Sequence, residues 1–106
     1  MSKEVPLDDL AATIGEYDFA YVLTVSDDQR PHLVAIRPVV REPRGLEVAA
    51  GRTTVANATA RPEITLLFPP VVDGGFSLVV DAIASGGDDG TLLLRPTWAV
   101  LHRPAP

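Results

Sequence analysis

The segment best suited to bind an anion runs from Ala50 to Thr54, with the sequence AGRTT. It lies between a predicted strand and a predicted helix start, so free backbone N–H groups, two hydroxyls and one guanidinium could converge on one anion. A phosphate suits such a site, because N–H and guanidinium donors both favour charged oxygen acceptors. The simpler alternative is that Gly51 makes a turn, a threonine caps the helix and Arg52 is solvated.

Arg37 is the second charged candidate. It is the only charged residue from Val34 to Val39, on a predicted half-buried strand. One interpretation is that its long side chain extends from the strand edge into water. The alternative is that it faces a ligand or a second subunit.

Five further residues carry weaker signals. His32 and His102 are the only imidazoles, and both are expected at the surface. Asp81 interrupts an apolar alternation and is expected on the solvent face, whereas Trp98 is expected in core or dimer packing, with stacking on a cofactor as the alternative. Asn57 is expected to be solvated, with contact to the AGRTT segment as the alternative. No catalytic acid or base is assigned.

Composition excludes several classes of function. The chain has 106 residues, 46% of them apolar, which fits one domain over residues 1–106. Its net charge of −5 disfavours nucleic-acid binding. The absence of cysteine removes disulfides, thiolate metal sites and cysteine nucleophiles, so we expect no metal and a reducing compartment. No apolar run is long enough to cross a bilayer, and we expect a cytoplasmic protein with no membrane contact.

Hydrophobic periodicity predicts a mainly β chain with two short helices. The helices cover residues 7–14 and a segment from Thr53 or Thr54 to Ala60. Six strands are predicted at residues 18–26, 31–42, 45–51, 63–68, 75–85 and 91–103, with an interruption at Pro96 and a turn at Glu42–Gly45. Short connections between so many strands favour a closed or half-closed antiparallel barrel. The predicted core comprises Leu23, Val25, Ile36, Leu66, Leu78, Val80 and Val100.

Three segments carry a resemblance to a known family. They are AYVLTVSDDQRPHLVAIRPVV, then GLEVAAGRTTVANATARPEITLLFPP, then GGFSLVVDAIAS. In this order they resemble the pyridoxamine 5′-phosphate oxidase-like family of flavin-binding split barrels, and the resemblance covers about residues 18–103. The resemblance implies a six-stranded antiparallel split barrel that pairs as a homodimer. It also implies FMN, or in some branches a deazaflavin or haem, in the groove between subunits.

Family positions can be carried over residue by residue. The phosphate contacts fall on Arg52, Thr53 and Thr54 beside Gly51, and the strand that passes the flavin leaves Arg37 as its charged residue. The oxidases proper carry a C-terminal extension that holds the substrate phosphate, whereas this sequence ends at Pro106, so oxidation of pyridoxamine phosphate is not expected. The resemblance therefore implies an FMN-dependent oxidoreductase acting on an unknown small molecule. The alternative is a reduced split barrel without cofactor that serves as a binding or interaction module, favoured by the single arginine in the phosphate turn.

Overall fold

The computed structural model describes residues 1–41 and 44–106 of the chain. In that part, eight strands form one antiparallel sheet beside two short α-helices. The strands are β1 (Ser2–Glu4), β2 (Ala20–Val25), β3 (Pro31–Ile36), β4 (Val39–Arg41), β5 (Gly45–Ala49), β6 (Glu63–Phe68), β7 (Ser77–Gly86) and β8 (Thr91–His102); the helices are α1 (Leu10–Ile14), after a 3₁₀ turn at Leu7–Asp9, and α2 (Arg52–Ala60). The sheet order is β3-β2-β6-β7-β8-β5-β4, and β1 pairs with β8. This curled antiparallel half-barrel with two short helices confirms the predicted fold class.

The strand count differs from the prediction at two places. The sequence pattern predicts no strand at residues 2–4, yet β1 pairs with the end of β8. The single strand predicted at 31–42 is two strands, β3 and β4, because the chain breaks pairing at Arg37 and Pro38, where proline lacks an N–H. Glu42 and Pro43, in the predicted turn, lie outside the described residues.

One face of the curled sheet surrounds the core. The predicted core positions that the structure buries are Ile36, Leu66, Leu78, Val80 and Val100. The prediction was wrong for Leu23 and Val25, which are only partly buried, whereas Val22 and Thr24 face the core. Successive residues of a strand point to opposite faces, and β2 has apolar residues at both odd and even positions. Periodicity alone therefore could not identify the buried face.

The long strands β7 and β8 form the centre of the sheet. Asp81 pairs with Trp98 but Ala82 pairs with Pro96, so Thr97 is an extra residue in β8. This β-bulge lies next to Pro96, where the interruption was predicted, and the strand continues beyond it. A bulge bends its strand and increases the local twist, which curls the sheet.

Helix α2 is held to β2 by polar contacts. The buried Asn57 amide donates to the buried Thr24 hydroxyl (Nδ2–Oγ1 3.2 Å), so neither interpretation of Asn57 from the sequence was correct. Beyond the helix end, Arg61 Nε donates to the Val25 carbonyl (2.7 Å) and Arg61 Nη2 pairs with Asp27 (2.8 Å). These contacts set the position of the helix along the strand.

Asn57→Ala should lower the free energy of unfolding by about 1–3 kcal/mol, because it leaves the buried Thr24 hydroxyl without its donor. Urea denaturation monitored by circular dichroism measures this change. Thr59→Ala, an exposed substitution on the same helix, is the control and should stay within about 0.5 kcal/mol of wild type. Equal effects of the two substitutions would contradict the role of the Asn57 amide.

Tyr17 joins the segment after α1 to the segment before β7. Its hydroxyl donates to the Phe76 carbonyl (2.8 Å) and its ring packs against Phe68 with centroids 5.9 Å apart. Burial raises the pKa of the Tyr17 phenol, and the nearby Glu16 carboxylate raises that pKa further. The fold therefore favours the neutral phenol.

Tyr17→Phe should lower the free energy of unfolding at neutral pH by about 0.5–1.5 kcal/mol through loss of this hydrogen bond. A raised folded pKa contributes stability that is complete below the unfolded value, near 10, and is lost as pH rises through the folded pKa. Wild type should therefore lose stability above about pH 10 more steeply than Tyr17→Phe. Urea denaturation across this pH range tests the prediction, with Tyr21→Phe, at the other tyrosine, as the control.

Candidate functional site

The start of α2 presents unused backbone donors. Gly51 is the N-cap residue, in an extended conformation (φ −73°, ψ 170°), and no side chain caps the helix. The first helical backbone bond runs from the Val55 N–H to the Gly51 carbonyl (3.0 Å), so the three preceding N–H groups take no part in helix bonding. A Cβ placed on Gly51 would meet nothing within 4 Å, so this backbone is open to a ligand. The prediction of a threonine cap at residue 53 or 54 was wrong, because both residues already lie inside the helix.

Side chains add a limited donor set to this helix start. Arg52 and Thr53 are exposed, and within the described residues Arg52 belongs to none of the ion pairs. Thr54 is only 3% exposed and faces the fold, so it offers a bound group its N–H but not its hydroxyl. Three N–H groups, one guanidinium and one hydroxyl remain, a combination that fits a phosphate.

An acidic turn lies beside these donors. The Ala50 N–H donates to the Gly90 carbonyl (2.9 Å), which fixes the β7–β8 turn against the start of α2. That turn carries Asp88 and Asp89, both exposed. Their charges oppose the attraction of Arg52 and the helix N-terminus for an anion, an effect that falls off over about 8 Å at physiological salt.

Arg37 lies at a neighbouring groove. This open groove, of about 480 Å³, runs between the ends of β3 and β5 and is lined by Phe19, Ala35, Ile36, Arg37 and Ala49. Ala49 precedes Gly51 by two residues, so the groove leads toward the start of α2. The structure thus places Arg37 and the residues of the helix start in adjacent regions, although Gly51, Arg52 and the two threonines do not line this groove.

A carboxylate that the sequence analysis did not select holds Arg37. Arg37 Nη1 donates to Asp18 Oδ1 (2.6 Å) and to the Asp18 carbonyl (3.1 Å). Both side chains are exposed, and an exposed pair of this kind contributes only about 0–1 kcal/mol. Arg37 is therefore oriented at the groove but can exchange Asp18 for another acceptor at little cost. Asp18 is acidic and precedes a strand, which is too common a pattern to mark a site.

The groove is bordered by an uncovered apolar strand. β3 is an edge strand that pairs only with β2 among the described elements. Leu33 on one face is 63% exposed and Val34 on the other is 40% exposed. An edge strand with apolar residues on both faces is a surface that folded proteins ordinarily cover.

The remaining candidates lie elsewhere. His32 is partly buried on β3, and the exposed His102 shares a hydrogen bond with Ser2 (Nδ1–Oγ 3.0 Å). Trp98 is 42% exposed and so lies outside the core, while Asp81 accepts a hydrogen bond from Thr65 (2.8 Å) on the outer face of the sheet. None of these four predicted residues lines the groove at Arg37. In the described part of the chain, no helix is long and apolar enough to cross a membrane.

Solved structures of similar fold include flavin-related proteins. The chain is similar to an F420 reductase (TM-score 0.67, 14% identity, 82% of this chain and 93% of that chain). It is also similar to the FAD-binding protein of Mycobacterium smegmatis (TM-score 0.67, 12% identity, 97% of this chain and 100% of that chain). A third is a protein of the pyridoxinephosphate oxidase family from Clostridium acetobutylicum, related to general stress protein 26 (TM-score 0.65, 14% identity, 93% and 91%). At these identities the likeness shows the fold alone, which is a split barrel.

Sequence comparison gives a closer relationship. No family model matches the chain. The uncharacterised proteins Mb0449c of Mycobacterium bovis and MT0457 of Mycobacterium tuberculosis are each 42% identical to it over 120 aligned positions, which cover 98% of this chain and 84% of each relative. The chain therefore belongs to the same family as these two mycobacterial proteins, and that family has the split-barrel fold.

Proposed function

We propose that this protein binds a flavin-type cofactor, FMN or a deazaflavin, and acts as an oxidoreductase on a small molecule. The observation that carries the proposal is the groove of about 480 Å³ at Arg37, which leads toward the uncapped start of α2. Its volume lies within the range of ordinary small-molecule sites. A helix start with free N–H donors beside a groove lined by both apolar residues and Arg37 suits a molecule with a phosphate at one end and a flat ring at the other.

Each part of the site has a distinct task in this proposal. The N–H groups of residues 52–54, the Arg52 guanidinium and the Thr53 hydroxyl bind the phosphate. Apolar residues of β3 lie against the ring and exclude water, and Arg37 hydrogen-bonds polar atoms at the ring edge. When bound, a flavin supplies hydride or electron transfer, and the protein contributes binding, orientation and electrostatics. This division of labour requires no catalytic acid or base from the chain.

We also propose that the functional unit is a homodimer. Both faces of β3 carry exposed apolar residues that no element in the described part of the chain covers. A second copy would cover this surface and supply another wall for the groove.

Arg52→Ala should weaken FMN binding by roughly 10- to 150-fold. This corresponds to about 1.5–3 kcal/mol, the usual contribution of hydrogen bonds to charged groups. Isothermal titration calorimetry, or quenching of flavin fluorescence, measures the affinity, and parallel titrations with a deazaflavin and with FAD identify the preferred cofactor. Asp88→Asn in the adjacent acidic turn should strengthen FMN binding, because it removes a negative charge near the phosphate.

Arg30→Ala is the matched control for this series, since Arg30 is an exposed arginine in the turn after β2. Its affinity for FMN should equal that of wild type. Equal affinities for wild type and Arg52→Ala would move the phosphate away from the start of α2. Absence of binding by every variant to every flavin would overturn the cofactor proposal.

A cofactor-free interaction module is the second candidate function. The acidic turn beside the helix start favours it, because Asp88 and Asp89 oppose the single arginine there. The buried Thr54 also removes one of the two hydroxyls expected at the phosphate. The flavin titrations decide between the two candidates.

The homodimer is tested independently of any cofactor. Sedimentation equilibrium at micromolar concentration should give twice the chain mass of 11.3 kDa. Leu33→Lys on the exposed face of β3 should shift the protein toward monomer, because a charge there would be buried without a partner. A monomer for wild type across the accessible concentration range would contradict this proposal.

A further inference from the structure

Two Asp–Gly sequences occur in the chain, at Asp73–Gly74 and at Asp89–Gly90. In such a sequence the backbone nitrogen of glycine can attack the carboxyl carbon of the aspartate side chain, because glycine has no Cβ to hinder the approach. The attack requires that neither the carboxyl group nor the N–H is held by another partner. The structure gives the two sequences opposite surroundings in this respect.

Asp89–Gly90, in the turn between β7 and β8, is held at both reacting groups. The Asp89 carboxylate accepts the Thr91 N–H (Oδ1–N 3.0 Å), and the Gly90 N–H donates to the Gly87 carbonyl (3.0 Å). The Gly90 carbonyl accepts the Ala50 N–H (2.9 Å), which ties the turn to the start of α2. Attack at this position must first break these hydrogen bonds.

Asp73–Gly74, in the loop between β6 and β7, has both reacting groups exposed. The preceding Val71 and Val72 are 63% and 67% exposed. Within the described residues, no hydrogen bond or ion pair engages the Asp73 carboxylate or the Gly74 N–H. A single backbone hydrogen bond, from the Gly75 N–H to the Val72 carbonyl (3.0 Å), closes the turn around them. A Cβ on Gly74 would meet nothing within 4 Å, so no neighbouring group crowds this backbone.

We propose that Asp73–Gly74 is the site at which this chain isomerises spontaneously to a β-aspartyl linkage. The Gly74 nitrogen bonds to the carboxyl carbon of the Asp73 side chain and loses its proton, and a carboxyl oxygen leaves as water, which closes a succinimide ring. Water then adds to one of the two ring carbonyls. Opening at the side-chain carbonyl restores aspartate, whereas opening at the backbone carbonyl breaks its bond to the Gly74 nitrogen and routes the main chain through the former side chain. The water released in the first step is taken up in the second, so the reaction needs no oxidant, reductant or cofactor.

The modification acts on the contact of Tyr17. A β-aspartyl linkage lengthens the main chain between Val72 and Gly75 by one methylene group, which the turn closed by their hydrogen bond cannot accommodate unchanged. Gly75 has little space in which to shift, because a Cβ there would lie 3.0 Å from the Val72 carbonyl oxygen. The next residue, Phe76, supplies the carbonyl that accepts the Tyr17 hydroxyl. Isomerisation should therefore weaken this hydrogen bond, whether or not the chain binds a cofactor.

Peptide mapping of incubated protein tests the site. The purified folded chain is held at neutral pH and physiological temperature for several weeks, and chymotrypsin, which cuts after Phe76, then separates the two Asp–Gly sequences. Electron-transfer fragmentation distinguishes isoaspartate from aspartate in each peptide, and methylation by an isoaspartyl methyltransferase measures the modified fraction. Isoaspartate should accumulate at Asp73 at least about tenfold faster than at Asp89, because more hydrogen bonds oppose attack at Asp89. Equal rates, or a faster reaction at Asp89, would overturn the proposal.

The same comparison in guanidinium chloride separates the effect of the fold from that of local sequence. Unfolding removes the hydrogen bonds around Asp89, so the two sites should then react at similar rates. A difference that persists undiminished in the unfolded chain would mean that neighbouring residue types select Asp73, and it would overturn the role of the hydrogen bonds.

Asp73→Glu is the matched control for the effect on Tyr17, since glutamate keeps the charge but cannot form the succinimide. Incubated wild type should contain a fraction that unfolds at lower urea concentration and that matches its isoaspartate content, whereas incubated Asp73→Glu should unfold as the fresh variant does. Urea denaturation monitored by circular dichroism measures both. Wild type that carries isoaspartate at residue 73 yet unfolds as the fresh protein does would contradict the effect on Tyr17 and leave the site of modification intact.

Discussion

Pairing between β7 and β8 is the interaction on which the rest of the sheet depends. Every residue of β7 has a partner on β8, and β6 adds to the other edge of β7. Because β8 is twelve residues long, β5 pairs near its start and β1 near its end. The extra residue Thr97 lies between these two regions and bends the strand. One hairpin with one bulge thus brings all the other strands around a single core.

Curling the sheet in this way covers one face and leaves two apolar surfaces exposed. β3 and β4 end the sheet order, so β3 has a paired neighbour on one side only, and its apolar residues are exposed on both faces. The outer face of β2, β6 and β8 retains exposed aromatic and leucine side chains. A domain of this size buries a smaller share of its surface than a larger one, and association with another copy is a common remedy. The open groove and these exposed apolar surfaces have one cause, because no element in the described part of the chain covers them.

The helix start acquires its properties from how α2 is anchored. The buried hydrogen bond between Asn57 and Thr24 fixes the helix against β2, and this orientation directs Thr54 inward and leaves Arg52 in solvent. The hydrogen bond from the Ala50 N–H to the Gly90 carbonyl holds the acidic turn of Asp88 beside the helix start. Affinity for an anion there is a balance between backbone donors and one guanidinium on one side and nearby carboxylates on the other. In the proposed flavin complex, the groove would therefore have to supply much of the binding energy.

Local residue types were sufficient to predict the elements that proline bounds. β6 was predicted with its observed bounds, because Pro62 and Pro69 flank a short apolar run. Proline lacks the N–H that would extend the preceding helix or the strand through these positions. The turn that exposes Arg52 at a helix start was likewise readable from local residue types. Tertiary structure alone decided which face of β2 is buried and that Asn57 meets a partner 33 residues away. Periodicity separates the two faces of a strand but cannot say which one meets the core, and contacts between distant residues depend on a register that no local pattern contains.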